Sequence, residues 1–353
     1  MAKKKKKQDD PVIPGVMIGS QFRATGWVRN PDAVRQTIRE MNRGRTFEQL
    51  ASGLISSFNT DVHRFYWESE QQVLGGVLPS WDQGQVGSCV GFGYGRAVQD
   101  VMLNEIADGE PEQYPGSEVA PEIIYGGSRF EVGGGQLTGD GSIGAWAARW
   151  VKDWGVVPRG QYGTLDVRQY NETTCRHLGG VGIPTDVENL ARLHPITQVA
   201  QLTTEQGLWS ALGAGKGVPV CSLQGFTTYR DSDGYCSLSG SWAHCMVYRG
   251  RFVHPLRGRS VIEQNSWGNY LEGGGNPPVQ YVKEDGSVGT FVLPEGCFCV
   301  ELSVAAQSLA DQDTFVLAGL TGWEDSGPET DDFMNGSLIV KDGRLVKFVP
   351  SSP

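Results

Sequence analysis

The chain has no apolar run of the roughly 18 residues that a membrane-spanning helix needs, so no membrane partner is expected. Its start, MAKKKKKQDD, lacks the apolar h-region of a secretory signal. It also lacks an excess of positive charge. The 30 basic residues face 40 acidic ones, for a formal charge of −10, which argues against bulk nucleic-acid binding by the folded body. Lys3 to Lys7 are the one segment suited to tether the chain to nucleic acid or another acidic surface; the plainer reading is a solvated tail. No cysteines are spaced as a paired zinc framework, and Cys297-x-Cys299 stands alone, so no metal is expected. Gly133-Gly134-Gly135 has neither the preceding strand nor the following Lys-Ser/Thr of a phosphate cradle, and no organic cofactor is expected. No internal repeat is evident.

What remains is a globular composition. The 353 residues are 39% hydrophobic and 20% charged, enough for one large or two medium units with a sizeable core. Glycine is abundant at 49 residues, so much of the chain is expected in loops and close backbone contacts. The seven cysteines are an odd number, so at least one is unpaired unless it bridges chains.

Asn30-Pro31-Asp32 reads as a helix start, with Asn as cap and Pro at the first helical position. Thr46-x-x-Gln49 fits a capping box. Residues 31 to about 57 are therefore expected as two short helices broken around Gly44, and residues 62 to 81 as an extended lead-in. A buried central helix is expected from Cys89 to Ile106, although Gly91, Gly93 and Gly95 each cost about 1 kcal/mol relative to Ala in a helix interior. Ala120 to Arg129 and Ser142 to Trp154 read as further helices, the latter with a core stripe of Trp146, Trp150 and Trp154. Residues 160 to 200 read as polar and irregular. After a short helix at 203–213, β-rich runs follow at 218–223, 243–249, 260–265, 289–293 and 297–304, with a hairpin signal at 337–349.

The most distinctive stretch is Asp82 to Gly93, DQGQVGSCVGFG. Its glycines suit a tight loop, and the following apolar spacing would put Cys89 at a helix N-terminus, where the dipole favours thiolate. A lone cysteine is most often a small core residue. Three segments together argue otherwise. Gln83-Gly84-x-x-Gly87-Ser88-Cys89, Ser241-Trp242-Ala243-His244 and Gln264-Asn265-Ser266-Trp267-Gly268 resemble, in order, the cysteine, histidine and asparagine segments of the papain-like cysteine peptidases. Gly26-Trp27-x-x-x-Pro31-Asp32 loosely resembles a segment near the start of some uncleaved bacterial relatives.

The resemblance implies an α+β fold of two lobes, one helical and one a twisted, antiparallel, barrel-like sheet, with the active site in the cleft between them. The resemblance covers about residues 79 to 300, and the expected domain plan is a flexible Lys-rich tail at 1–20, a helical extension at 21–78 (propeptide or permanent), a helical lobe at 79–175, a β-rich lobe at 176–325 and a C-terminal extension at 326–353. Cys89 would be the nucleophile, His244 its proton partner and Asn265 the group orienting the imidazole, covered by Trp267. The Gln83 amide and the Cys89 backbone N–H would form the oxyanion hole. Gly141, Ser142, Leu223, Trp242, Ala243 and Trp267 would contact a polypeptide substrate.

Three departures bear on the branch and on specificity. Val86 stands where secretory relatives carry a disulfide cysteine, and the segment supplying its partner is absent, which points to a reducing compartment, cytoplasmic or virion-associated, and a bacterial or viral branch. Val90 replaces the usual Trp after the nucleophile, and Ala243 the usual Asp or Asn before the histidine. The expected activity is thiol-dependent peptide hydrolysis, as an endopeptidase. The alternatives are a catalytically silent protein of the same fold, or an acyl transferase or isopeptidase using the same residues.

Overall fold

The computed structural model describes residues 15–18, 20–110, 117–272, 276–320, 336–341 and 344–350. The lysine tail lies outside the described residues. β1 (Gly15–Ile18) and β2 (Gln21–Ala24) pair antiparallel. α1 (Pro31–Asn42) starts as its sequence predicts: Asn30 Oδ1 accepts the Ala33 N–H at 3.1 Å, satisfying one of the helix's free amides. The Thr46/Gln49 capping box opens α2 (Phe47–Leu50), which α3 (Ser52–Ser57) follows.

The expected extended lead-in is only partly extended. β3 (Arg64–Phe65) is two residues long, and α4 (Tyr66–Leu74) is helical. Phe65, Tyr66 and Trp67 favour strand, but the Glu, Gln and Leu after them favour helix. The helix also carries Glu70 inward to Arg96 and Arg249.

α5 (Cys89–Ala107) is almost wholly buried. Around it pack α6 (Pro121–Gly127), which runs into a π-turn at 128–132, and α7 (Gly144–Asp153) with Trp150 stacked on Trp154 at 5.4 Å. The stretch expected to be irregular is instead a small β-ribbon, β4 (Gln161–Tyr162) and β5 (Leu165–Asp166), then α8 (Glu172–Val181), α9 (Thr185–Ala191) and β6 (Ile196–Gln201). The missed signal is Asn171, whose side chain caps α8 through the Thr174 N–H, with Cys175 and Leu178 on the buried face. The expected lobe boundary at 175/176 falls inside α8.

α10 (Glu205–Gly213) leads into β7 (Val218–Phe226), the long β8 (Leu238–His254) and β9 (Gly258–Gln264). β10 (Pro278–Val282) and β11 (Val288–Val292) form a separate ribbon, and β12 (Cys297–Glu301) precedes α11 (Leu302–Ala305). The expected strand at 297–304 thus ends early, in a helical turn. The main sheet is antiparallel, in the order β12-β9-β8-β3, with β7 also on β8. Among the described strands it does not close into a barrel. β13 (Phe315–Leu320) pairs with β6, and the C-terminal hairpin signal is realised as β14 (Gly336–Lys341) against β15 (Arg344–Pro350).

The architecture is therefore α+β. One apolar core surrounds α5, α6 and α7, and another lies between α10, β7 and β8. Cys89 belongs to the first and Trp267 to the second, so the seam between the two cores is where the candidate site falls.

Candidate active site

The loop before α5 is tied to the segment after β9. Asp82 and Trp267 form a β-bridge, the Gln83 N–H donates to the Ser266 carbonyl at 2.9 Å, and Ser266 Oγ donates to Gln83 Oε1 at 2.6 Å. Gly84 turns the loop at φ +61°. Cys89 is then the first residue of α5, and Ser88 before it makes no side-chain cap. The thiol thus lies at the positive end of a 19-residue helix.

β8 brings His244 opposite Ser222 of β7. His244 Nε2 lies 2.8 Å from Asn265 Oδ1, which fixes Nε2 as the protonated nitrogen because the carboxamide oxygen can only accept. Nδ1 is buried and has no hydrogen-bond partner. Trp267 lies over the imidazole, ring centroids 4.6 Å apart. The backbone N–H of Cys245, next to His244, faces the Cys89 thiol, as do those of Val90 and Gly26.

Burial governs the protonation of both groups. It pushes the Cys89 thiol well above its ordinary value; the facing N–H groups of Cys245, Val90 and Gly26 pull the other way. It pulls His244 down to about 4, with the Asn265 hydrogen bond opposing. Both shifts favour the neutral thiol and imidazole over the thiolate–imidazolium pair. Cys89 is 0% exposed and His244 1%.

The chain's own residues 24–28 lie against the site and bond to the groups around it. The Ala24 carbonyl accepts from Gln83 Nε2 at 3.1 Å and from Trp267 Nε1 at 3.0 Å. The Gly26 and Trp27 amides both donate to the Ala243 carbonyl, at 3.2 and 3.1 Å. Ser142 N–H donates to the Gly26 carbonyl and Val28 N–H to the Ser142 carbonyl, both at 2.8 Å, a parallel bridge. A Cβ on Gly26 would sit 2.0 Å from the Gly87 carbonyl oxygen, so this position admits only glycine.

Of the six residues expected to contact substrate, Ser142, Ala243 and Trp267 contact this segment directly. Gly141, at φ +116°, is buried beside it, and a Cβ there would meet the Gly26 carbonyl. Leu223 is partly exposed on β7, its N–H held by Asp311 at 2.8 Å. Trp242 is buried, packed edge-on to Phe226 and against Trp267 at 5.0 Å. All seven cysteines are free.

Sequence reasoning missed Asp313. Its carboxylate accepts from Trp27 Nε1 at 2.7 Å and from the first amides of α7, Gly144 at 2.8 Å and Ala145 at 2.7 Å. No local signal marks it, because its partners lie 286 and 169 positions away. It also missed Tyr170, which donates to the Gln83 carbonyl at 2.9 Å.

No family model matches the chain, and no curated protein does. Among solved structures it is similar to xylellain, a cysteine protease from Xylella fastidiosa, at 14% identity and TM-score 0.45, over 90% of this chain and 98% of that one. It is similar to digestive procathepsin L 3 of Tenebrio molitor larval midgut, at 15% and 0.41 over 83% and 94%. The bromelain protease of Ananas comosus, solved with the E64 inhibitor, stands at 16% and 0.42 over 73% and 99%. Values this low decide nothing about chemistry, which rests on the residues themselves.

Proposed function

We propose that the chain is a papain-like thiol peptidase that hydrolyses interior peptide bonds of polypeptides, with Cys89 as nucleophile, His244 as proton shuttle, Asn265 as the group orienting it and Gln83 as oxyanion donor. The observation that carries this is the His244–Asn265 bond of 2.8 Å under Trp267, with Nδ1 unpartnered on the strand whose next residue faces the Cys89 thiol. An imidazole held by one nitrogen has the other available to take the thiol proton. The thiolate attacks the carbonyl carbon, charge develops on the carbonyl oxygen beside Gln83 Nε2, and the imidazolium returns the proton to the departing amine. Water then releases the acyl group by the same steps. Ala24 supports the oxyanion assignment, since its carbonyl already accepts from that donor.

Burial of Cys89 favours a second reading, a silent protein that keeps the residues without using them. The test is digestion of an unfolded protein library, read by mass spectrometry, with a thiol-directed epoxide in parallel. Both are run on a chain loosened at residues 24–28 by Gly26→Ala and on the same chain carrying Cys89→Ala. Cleavage and epoxide labelling that both vanish with Cys89 support the peptidase. A Cys89 no more reactive than Cys175 or Cys236 in the loosened chain would favour the silent protein. Labelling without cleavage would shift the reading to acyl transfer onto another acceptor.

A further inference from the structure

We propose that Tyr270, backed by Glu263, is a positioning residue for the reaction: its hydroxyl takes the free side of the Asn265 carboxamide and, through Asn265, fixes the His244 ring. The inference rests on the peptidase reading for the reaction, but not for the hydrogen-bond chain itself. The orientation of Asn265 is set by its neighbours. Oδ1 lies 2.8 Å from His244 Nε2 and accepts the Ser266 N–H at 2.7 Å. A backbone N–H can only donate, so the atom facing it is oxygen, and the carboxamide NH2 points the other way. On that side lies the Tyr270 hydroxyl. Both residues are buried. Nδ2 and the hydroxyl face each other without reaching full hydrogen-bond geometry, and among the described residues neither has another partner. A buried donor and acceptor so placed are costly to leave unpaired, and hydrogen bonds around a catalytic group are often long in a free enzyme and tighten when substrate is bound.

Four groups bear on the Tyr270 hydroxyl: Cys236, Asn265, Glu263 and Arg230. Two are engaged elsewhere. Cys236 Sγ donates to the Tyr229 carbonyl at 3.4 Å, and Arg230 donates to the Cys297 carbonyl at 2.8 Å and to Asn276 Oδ1 at 2.9 Å. Glu263 is not. It stands on β9 two residues before Asn265, buried opposite Tyr248 of β8 and Phe298 of β12, and its Oε2 has no partner. The Tyr248 hydroxyl is turned away, to the Ala305 carbonyl and Ser308 Oγ, both at 3.2 Å. Burial pushes the Glu263 carboxyl up to about 8, towards its neutral form. A neutral carboxyl can accept the Tyr270 O–H without setting an unpaired charge in the core. The Tyr270 ring stands edge-on to Trp267, 5.4 Å away at 89°, so it packs with the indole that covers the imidazole. A phenylalanine would fill that ring space equally well. The hydroxyl is the part that packing does not account for.

The test compares Tyr270→Phe, Asn265→Ala and the double variant, each in the Gly26→Ala chain. Tyr270→Phe should lower kcat about tenfold with KM little changed, because a loosened carboxamide lets the imidazole leave its line of proton transfer. Added to Asn265→Ala it should cost nothing further, since no carboxamide is left to hold. An unchanged kcat, or the same loss in both backgrounds, overturns the proposal.

A second readout needs no turnover. The chain has five histidines, so ¹⁵N-histidine NMR spectra of the full chain are simple, and the His244 Nε2–H is assigned by its absence in His244→Gln. Its exchange with solvent should quicken about tenfold in Tyr270→Phe. An unchanged rate overturns the proposal. If the Gly26→Ala chain cleaves nothing, the peptidase reading falls, and the exchange rate alone decides on Tyr270. If Tyr270→Phe does not fold, Glu263 decides. Glu263→Leu should quicken the same exchange, and Glu263→Gln should restore the wild-type rate, because a carboxamide, like a neutral carboxyl, both donates and accepts. The two behaving alike overturns the proposal.

Discussion

His244 carries a pH signature because it is buried. In the closed protein the ring stays neutral down to about pH 4, whereas an unfolded imidazole takes a proton near 6.5. The unfolded chain therefore binds more protons in that window, and stability falls as pH drops from 6.5 towards 4. At pH 5 this group alone should withdraw about 2 kcal/mol. His244→Gln should lose that much less stability than wild type between pH 7 and pH 5, read as the difference in urea midpoints. Parallel pH slopes would mean that the ring is solvated. Gln83 makes a separate residue-scale prediction. If its Nε2 stabilises the oxyanion, Gln83→Ala in the Gly26→Ala background should lower kcat by about 10²–10³, with a much smaller change in KM. An equal loss in binding would instead mark Gln83 as a structural tie to Ser266.

Among the elements, α5 shows why glycine is tolerated where propensity disfavours it. A Cβ on Gly91 would lie 2.5 Å from the Pro121 carbonyl oxygen, and one on Gly93 would lie 2.7 Å from Cys245 Sγ. On Gly95 its nearest neighbour would be a carbon of the Trp81 ring at 3.3 Å. Helix propensity alone predicts that each Gly→Ala change stabilises by about 1 kcal/mol. The contacts reverse the sign for Gly91→Ala, which meets backbone and should destabilise by about 1–3 kcal/mol. Gly95→Ala should be close to neutral, because a side chain can shift by a few tenths of an ångström. Urea unfolding of the two variants checks the contrast; equal effects would mean that α5 and α6 do not approach as described. The same physics separates what was legible in the sequence. Caps at Asn30, Thr46 and Asn171 and the Trp stripe are local side-chain patterns, and the first, second and last of these were read. α4 was misread because three aromatic residues masked its helix formers, and α8 because a short amphipathic helix looks polar when its buried face is only Cys175 and Leu178.

For the molecule as a whole, the three candidate catalytic segments were legible because each carries side chains of distinctive chemistry in a fixed order. The place of residues 24–28 against the site was not, because the contacts that reach it are made by backbone at Ala24, Gly26 and Val28, and the partner of Trp27 lies 286 positions away. Equally hidden was the ionic cluster that joins the parts. Arg249 of β8 is fully buried, donating to Asp100 of α5 at 2.9 and 3.1 Å and to Glu70 of α4. Arg96 of α5 pairs with the same Glu70 and lies 3.7 Å from Asp100. Two cations thus face two carboxylates, and the cluster is neutral overall. Its Coulomb gain roughly offsets the desolvation of its members, so the intact cluster contributes little net stability while one broken member costs a great deal. Arg249→Met keeps much of the volume but leaves one cation for two buried carboxylates. The expected loss is about 3–5 kcal/mol at pH 7, and it should shrink as pH falls and the surplus carboxylate takes up a proton. Burial already pushes Asp100 up, so that carboxyl is the one expected to protonate. Urea midpoints of wild type and Arg249→Met at pH 7 and pH 5 check the argument. A penalty unchanged by pH would show that Arg249 acts through packing between β8 and α5 rather than through charge.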